Sequence, residues 1–508
     1  MRRLPLMLLL IIICSLMAAR AADDGSALSE QVDRLVHDTP VVDRGNFGYK
    51  VVDAETGEVL AEHNASHFYT PASNAKLYTT AAALARLGPN YQFETEVRTK
   101  SAWAPGQTSL GDMELIGGGD ANLSGRVLPY QVDAKDGDCL AALNELADKV
   151  LAAGIREVTG DVAGISTRYP GDPYPGGWTI DDSIYSYGAP VSALTLNDST
   201  VSLTLSATSD GELAGLETQP AISHFIFLNQ VLTTGDDRSS EVHVTRKPGS
   251  NEVILWGRMG RRASPWKEDV GVEDPALFAA GAFVEALEDR GIIVRGSPRG
   301  VYWDLNDVPD PGPNIPRKAV PSSEGTLLAV HRSPPLWQDV QLTDKISQNL
   351  HAEMLLREIG FVTRGVGTLK AGVEEREAFL KEAGVTPDDT GFVLDDGSGL
   401  ARQDLVTPEA TVTLLRYMWQ RPERDVWVQA LPVGGVDGSL QHRFQKIAGA
   451  DRVHAKTGSI SHVATLSGYI ETKDHRWLAF SAMVNAASGH SADVRDFLDR
   501  FCEIFLGE

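Results

Sequence analysis

A serine and a lysine three residues apart, Ser73 and Lys76, stand at the head of an alanine-rich run (LYTTAAALARL) that stops at Gly88-Pro89. That pairing is what nucleophilic catalysis by a hydroxyl requires. A serine is a poor nucleophile near neutral pH until a neighbouring base takes its proton, and a lysine is that base only where its surroundings favour the neutral amine. Residues i and i+3 share a helix face, so the Lys76 amine lies beside the Ser73 oxygen, where the positive end of the helix dipole disfavours a second charge. Ser347-Gln348-Asn349 and Lys456-Thr457-Gly458-Ser459 follow in the order a serine acyl-transfer site would use them. The Ser347 hydroxyl can relay a proton to a leaving amine, and the Asn349 amide can hold both a lysine and a substrate amide. Lys456 supplies a fixed positive charge, Thr457 a hydroxyl, and Gly458 a place where substrate backbone can approach. The N–H of Ser459 can then pair with that of Ser73 as an oxyanion hole.

Each group taken singly has a plainer explanation. Ser347 is a ready N-cap, and Lys-Thr-Gly is an ordinary strand end with a glycine turn. The Ser-x-x-Lys spacing also recurs at Ser264–Lys267, among Arg261, Arg262, Glu268 and Asp269 with no apolar helix behind it, and reads there as a surface loop. The argument for catalysis is the ordered set of three.

The elements that must position these residues are clearest near the two ends. Thr70-Pro71-Ala72 reads as a turn, and Leu77 to Leu87 as a helix with Ser73 in its first turn. Leu28 to His37 carries Leu28, Val32, Leu35 and Val36 at helical spacing. Phe47 to Asp53 and Glu58 to Glu62 read as a hairpin across Ala54-Glu55-Thr56-Gly57. Ser347 and Asn349 stand at the start of a helical stretch, Leu350 to Ile359, that should stop at Gly360. Val453 to Ile460 reads as an edge strand, followed by strands Ala464 to Thr472 and Arg476 to Val484 and a last helix, Ala492 to Leu506, with Val494, Phe497, Phe501, Ile504 and Phe505 on one side. Together these imply an antiparallel sheet with terminal helices packed on it.

The 508 residues suffice for more than one domain. The first 22 read as a secretory signal, with Arg2 and Arg3 before an apolar run Leu4 to Met17 and a small-x-small site at Ala19-Arg20-Ala21. Cys14 belongs to the apolar run. Secretion across the inner membrane into the periplasm is therefore expected. The leader contains three arginines and no acids, so the remaining chain is more acidic still than the full chain at −23, and a nucleic-acid partner is not expected. Cys139 and Cys502 could pair in an oxidising compartment, but sequence cannot place them side by side. With no C-x-x-C pair and no His-Glu-x-x-His, no metal and no cofactor are expected.

The stretch between Ser73 and Ser347 is too long for one crossover, whereas that between Ser347 and Lys456 fits within a domain. An insertion over roughly 96–319 is implied, bounded late by the Pro-rich Val308 to Pro321, with residues 23–95 and 320–508 forming the two parts of one domain. Within it, Gly117-Gly118-Gly119-Asp120 is not a phosphate loop, because no Gly-Lys-Ser/Thr follows and its surroundings are acidic.

Ser-x-x-Lys, Ser-x-Asn and Lys-Thr-Gly are the signature of penicillin-binding proteins and class A β-lactamases. With Asp396 to Arg402 (DGSGLAR), Leu431 to Arg443 (LPVGGVDGSLQHR) and Gly177 to Val201 (GWTIDDSIYSYGAPVSALTLNDSTV), nearly the whole mature chain resembles the class C low-molecular-mass penicillin-binding proteins. These are D-alanyl-D-alanine carboxypeptidases, often also endopeptidases. The resemblance implies an α+β penicillin-binding/β-lactamase-like transpeptidase fold, an antiparallel sheet flanked by helices, with a large two-domain insertion whose nested domain spans roughly 187–262. It implies Ser73 as the acylated nucleophile, Lys76 as its base, Ser347 and Asn349 as the proton relay and orienting pair, and Lys456 with Thr457 as binders of a terminal carboxylate. It also implies peptidoglycan stem peptides as substrate and β-lactam antibiotics as covalent inhibitors. An aspartate after a glycine run, usually followed by proline, holds the amine end of the stem-peptide side chain in such proteins. Asp120 is the candidate here, with Ala121 in the proline's place, and Gln348 replaces the commoner Asp of the middle motif. A serine β-lactamase would share the three motifs, but the insertion and the stretches around Asp396 and Gly177 favour the peptidase. A non-catalytic cell-wall binding protein would not need to keep every catalytic residue. An esterase lacks support, as no Gly-x-Ser-x-Gly elbow occurs.

Overall fold

The computed structural model describes residues 27–100, 102–303, 325–387 and 391–507. The apolar leader with Cys14 and the Pro-rich stretch Val308 to Pro321 lie outside the described residues. Two compact units are formed, one by residues up to Ala85 with Gln341–Ser347 and Glu377 onward, the other by Arg86–Val340 with Gln348–Arg376.

In the first unit, strands rich in apolar and β-branched residues build one antiparallel sheet in the order Val453–Ile460, Val463–Glu471, Trp477–Asn485, Asn46–Asp53, Val59–His63. The first hairpin of the chain thus pairs with its last strand. Successive side chains alternate between the faces of a sheet. On one face Phe47, Tyr49, Val51, Leu466, Ile470 and Phe480 form a core with the helix at 27–37 and the C-terminal helix Ser491–Leu506. Phe497 meets Phe47 edge-on at 4.9 Å and Phe501 meets Tyr49 at 5.2 Å, contacts worth about 0.5–1.5 kcal/mol each beyond the area they bury. The opposite face carries Lys456, Gly458, Thr465, Ser467 and Tyr469. Against it lie a 3₁₀ turn, Ala72–Asn74, the helix Ala75–Leu87 and the helix Pro408–Trp419, joined to it and to each other by bonds such as Asn74 to Ser467, Tyr78 to Thr411 and Tyr469 to the Leu415 carbonyl. Ala75 to Leu84 are all buried, so this helix has no solvent face over that span. Its alanines leave room for neighbours on every side.

The second unit holds a mixed sheet in the order Pro298–Val301, Val162–Ile165, Met113–Ile116, Glu94–Thr99, Leu327–Arg332, parallel in its first two pairings and antiparallel in the others. Helices Ala141–Ala152 and Pro275–Glu288 share its core. Between residues 200 and 271 the chain forms two further three-stranded sheets, one of Trp266–Gly271, Thr200–Ser206 and Gly215–Gln219, the other of Ile226–Thr233, Glu252–Met259 and Ser240–Arg246.

Two local expectations change, and the cysteine pairing left open by the sequence is answered. The helix after the middle motif runs Asn349–Arg364, straight through Gly360, and stops at Gly365 in a left-handed conformation (φ 78°). Gly360 is there for close packing: a Cβ on it would lie 2.7 Å from the backbone nitrogen of Gly372, on helix Leu369–Glu382. The second Ser-x-x-Lys is only half a loop, because Lys267 lies on a strand and pairs with Thr204, although Ser264 and Lys267 are both exposed. Cys139 and Cys502 are free, buried thiols in different units.

Candidate active site

Ser73 lies in the 3₁₀ turn and is half-buried; the next turn begins the helix that carries Lys76, which is wholly buried. The Lys76 Nζ is 3.0 Å from Ser73 Oγ. Its second partner is the Ser398 carbonyl oxygen at 2.8 Å. That carbonyl belongs to the Asp396–Ala401 loop, which wraps around one carboxylate. Asp396 accepts from the backbone N–H groups of Ser398 (3.1 Å), Gly399 (2.6 Å) and Ala401 (2.8 Å). The loop's Gly397 carbonyl takes the Thr79 hydroxyl at 2.8 Å, one helical turn beyond Lys76. Ala72, just before the serine, has φ 47°, a left-handed conformation that costs a non-glycine residue on the order of 1–3 kcal/mol and persists only where the surroundings over-determine it. Gly399 supplies part of that surround, since a Cβ there would sit 1.9 Å from the Ala72 carbonyl oxygen. Sequence reasoning quoted the Asp396 stretch for its resemblance and gave it no task. Its task here is to orient the amine.

Lys456 reaches the same face of the sheet from the edge strand. Its buried ammonium donates to Ser347 Oγ at 2.9 Å and to the Thr457 carbonyl at 3.0 Å. Burial lowers its pKa to about 8 against the opposing field of Asp344. Ser347 is not the cap of the following helix. Gln348 is the N-cap, its side-chain oxygen accepting from the Leu350 N–H at 3.2 Å, while Ser347 takes φ 64° and turns its hydroxyl to Lys456. Gly458 packs directly against the nucleophile's turn. A Cβ on it would fall 2.5 Å from the Pro71 carbonyl oxygen and 3.1 Å from the Ser73 backbone nitrogen. Thr457 and Ser459 point to the other side of the strand, where Thr457 Oγ1 is 2.7 Å from Ser439 Oγ and Ser459 is exposed. Ser73, Lys76, Ser347, Lys456, Thr457, Gly458 and Ser459 therefore all belong to the first unit.

Asn349 and Asp120 belong to the second unit. Asn349 opens its helix and donates to the Tyr187 carbonyl at 2.8 Å. Asp120 is 1% exposed. One oxygen accepts from the Asn122 N–H at 2.9 Å; the other has no hydrogen-bond donor among the described residues and stands 3.9 Å from His331 Nε2. Burial raises its pKa to about 6. The glycines before it are packing residues: a Cβ on Gly118 would lie 1.8 Å from the Glu94 carbonyl oxygen. Beneath Asn349, within the same unit, His351 is wholly buried between Asp339 (2.6 Å) and Asp198 (3.0 Å). Asp198 also pairs with Arg126 and accepts from the Gln348 amide at 2.8 Å. No motif marks this charged network. The only trace in the sequence is a histidine two residues beyond Asn349.

Residues 28–503 match the family described as D-Ala-D-Ala carboxypeptidase 3 (S13). The chain is 34% identical over 476 residues to the D-alanyl-D-alanine carboxypeptidase of Actinomadura sp. (strain R39), covering 91% of this chain and 81% of that protein. It is 24% identical over 448 residues to the D-alanyl-D-alanine carboxypeptidase DacB of Haemophilus influenzae, covering 87% and 86%. Its fold is similar to that of crystalline penicillin binding protein 4 (dacB) from Haemophilus influenzae, with TM-score 0.77 and 22% identity over 94% of this chain and 99% of that one. A match of this extent, at one-third identity to a carboxypeptidase over most of both chains, means that the chain belongs to the D-Ala-D-Ala carboxypeptidase 3 (S13) family of serine peptidases.

Proposed function

We propose that the D-alanyl-D-alanine carboxypeptidase reaction of this chain runs through an acyl-enzyme on Ser73, and that the same site cuts D-D crosslinks between peptidoglycan stems and is acylated by penicillins. The observation that carries the reading is the pair of short links in one unit, Lys76 to Ser73 at 3.0 Å and Lys456 to Ser347 at 2.9 Å. Ser73 Oγ attacks the carbonyl between two D-alanines as its proton passes to Lys76. The C–N bond then breaks, and the proton reaches the departing amine through Ser347. Water afterwards gives a proton to Lys76, attacks the ester carbonyl and restores Ser73. The Lys456 ammonium receives the terminal carboxylate. Release of D-alanine from a D-Ala-D-Ala peptide tests the reading against a β-lactamase, which would instead turn over a lactam in the steady state, and against a binding protein, which would do neither.

Crosslink cleavage is supported by the space beyond Thr457. A cavity of about 580 Å³, lined by Ser439, Arg443, Thr457, Gly458, Ser459 and Ala492 among others, adjoins Gly458, which packs on the Ser73 turn. That is within the range of sites for drug-sized ligands and exceeds what one D-alanine fills. Filling it with Ala492→Trp is expected to slow cleavage of a crosslinked stem dimer roughly tenfold or more while release of D-alanine from a single stem changes less than about twofold. Equal loss of both activities would remove this assignment.

Gly458 offers a second test. Alanine there would meet Thr465 Oγ1 at 2.2 Å as well as the Pro71 carbonyl, and backbone cannot swing aside as a long side chain can. Gly458→Ala is expected to cost about 1–3 kcal/mol of stability and, by displacing the strand from Ser73, to slow acylation by a fluorescent penicillin about a hundredfold. Acylation at the unaltered rate would contradict the packing argument. The leader supports secretion into the periplasm, for which a mature chain beginning at Ala22 or Asp23 is the expected result of N-terminal sequencing.

A further inference from the structure

Asp344 lies in the last turn of helix Leu336–Lys345 and is wholly buried, yet the mechanism above gives it nothing to do. Among the described residues neither of its oxygens accepts a hydrogen bond: the Thr80 hydroxyl beside it is directed instead to the Lys76 carbonyl at 2.8 Å. What faces it are lysines. Lys76 comes from the helix Ala75–Leu87, Lys456 from the edge strand, and Lys345 from its own helix. Lys345 is matched by Asp437 at 2.5 Å, whereas Lys456 has no carboxylate within 4 Å among the described residues and is left to the field of Asp344. A carboxylate buried without donors is ordinarily neutralised or absent. Here its field opposes the burial that draws the proton from the Lys456 ammonium.

The two amines have different duties. Lys76 must be neutral to take the Ser73 proton. Lys456 must stay charged to donate to Ser347 and to receive a carboxylate. One counter-charge supports one ammonium. We infer that Asp344 is a positioning residue that supplies an internal counter-charge to Lys456 and keeps it protonated while Lys76 acts as base; the inference rests on the acyl-transfer reading above. Burial pushes the Asp344 carboxyl up and the Lys456 ammonium down, and each opposes the shift of the other.

Asp344→Asn removes the charge at nearly constant shape. The alkaline limb of kcat/KM for D-alanine release is expected to move down by about one pH unit, leaving activity near wild type at pH 6 and lowering it roughly tenfold at pH 9. A lysine ¹³Cε NMR titration, with the Lys456 resonance assigned through Lys456→Arg, is expected to show its midpoint moving down by the same amount. Should the Asn variant not fold, Asp344→Leu removes the same charge with an apolar side chain and is read the same way. A limb and a Lys456 midpoint that both stay at the wild-type position would overturn the proposal. The NMR titration keeps it separable from the functional reading: if the wild-type protein releases no D-alanine, that reading fails, while a moved or unmoved Lys456 midpoint still decides whether Asp344 is the counter-charge.

Discussion

Ser73→Ala is expected to leave a folded protein that no longer takes up labelled penicillin and releases D-alanine roughly 10⁴-fold more slowly or worse, because no other group can form the acyl-enzyme. The loss should be confined to chemistry. Ser73 is half-buried, and its hydrogen-bond partner Lys76 keeps the Ser398 carbonyl as an acceptor, so the missing hydrogen bond costs about 1 kcal/mol, a few degrees of Tm at most. Ser264→Ala is the matched control, since its Ser-x-x-Lys is exposed on both residues and lacks a buried amine. Gel fluorescence after incubation with a labelled penicillin reads both variants at once. A Ser73→Ala protein that is labelled as strongly as wild type would move the nucleophile elsewhere.

What could be read from the sequence was whatever depends on neighbours along the chain. The Ser73–Lys76 contact is an i, i+3 relation on one turn, and the sheet strands near both ends announce themselves by apolar runs and turn residues. Features that depend on what arrives from elsewhere were misread or invisible. Gly360 looks like a helix stop until the backbone of Gly372 lies against it. Ser347 looks like an N-cap, yet Gln348 caps, and the serine adopts a left-handed conformation because Lys456, more than a hundred residues on, needs its hydroxyl. Asp344 and His351 are polar residues in helices with polar neighbours, a pattern that ordinarily marks a solvated face. Only packing shows that both are wholly buried. The Asp396 stretch contributes to the family resemblance through its residue types, but it acts through carbonyl directions, which side-chain types do not encode.

The largest effect on stability is expected at His351. Its imidazole bridges Asp339 and Asp198, all three buried, and Asp198 is further held by Arg126 and Gln348. Burial lowers the histidine's proton affinity, but the two carboxylates more than offset it and raise the pKa from its ordinary 6.5 to about 9. Asp198 is opposed by burial too, and Arg126 and His351 hold it well below the usual carboxylate range. His351→Ala removes the cation and leaves carboxylates facing one another without it, a loss of about 3–5 kcal/mol for a broken buried ion pair and a large fraction of a domain's whole stability. The sign of the pH dependence follows from the two shifts. A histidine whose folded pKa is raised contributes fully below 6.5 and loses its contribution as the pH climbs through 9; an aspartate whose folded pKa is depressed contributes above its unfolded value near 4 and loses it as the pH falls. Urea unfolding of wild type and variant is therefore expected to differ most near pH 5–6 and to converge above pH 9, where the wild-type imidazole has also lost its charge. A stability difference that is flat from pH 5 to pH 10 would mean that His351 is held as a neutral spacer and that the charged bridge does not exist.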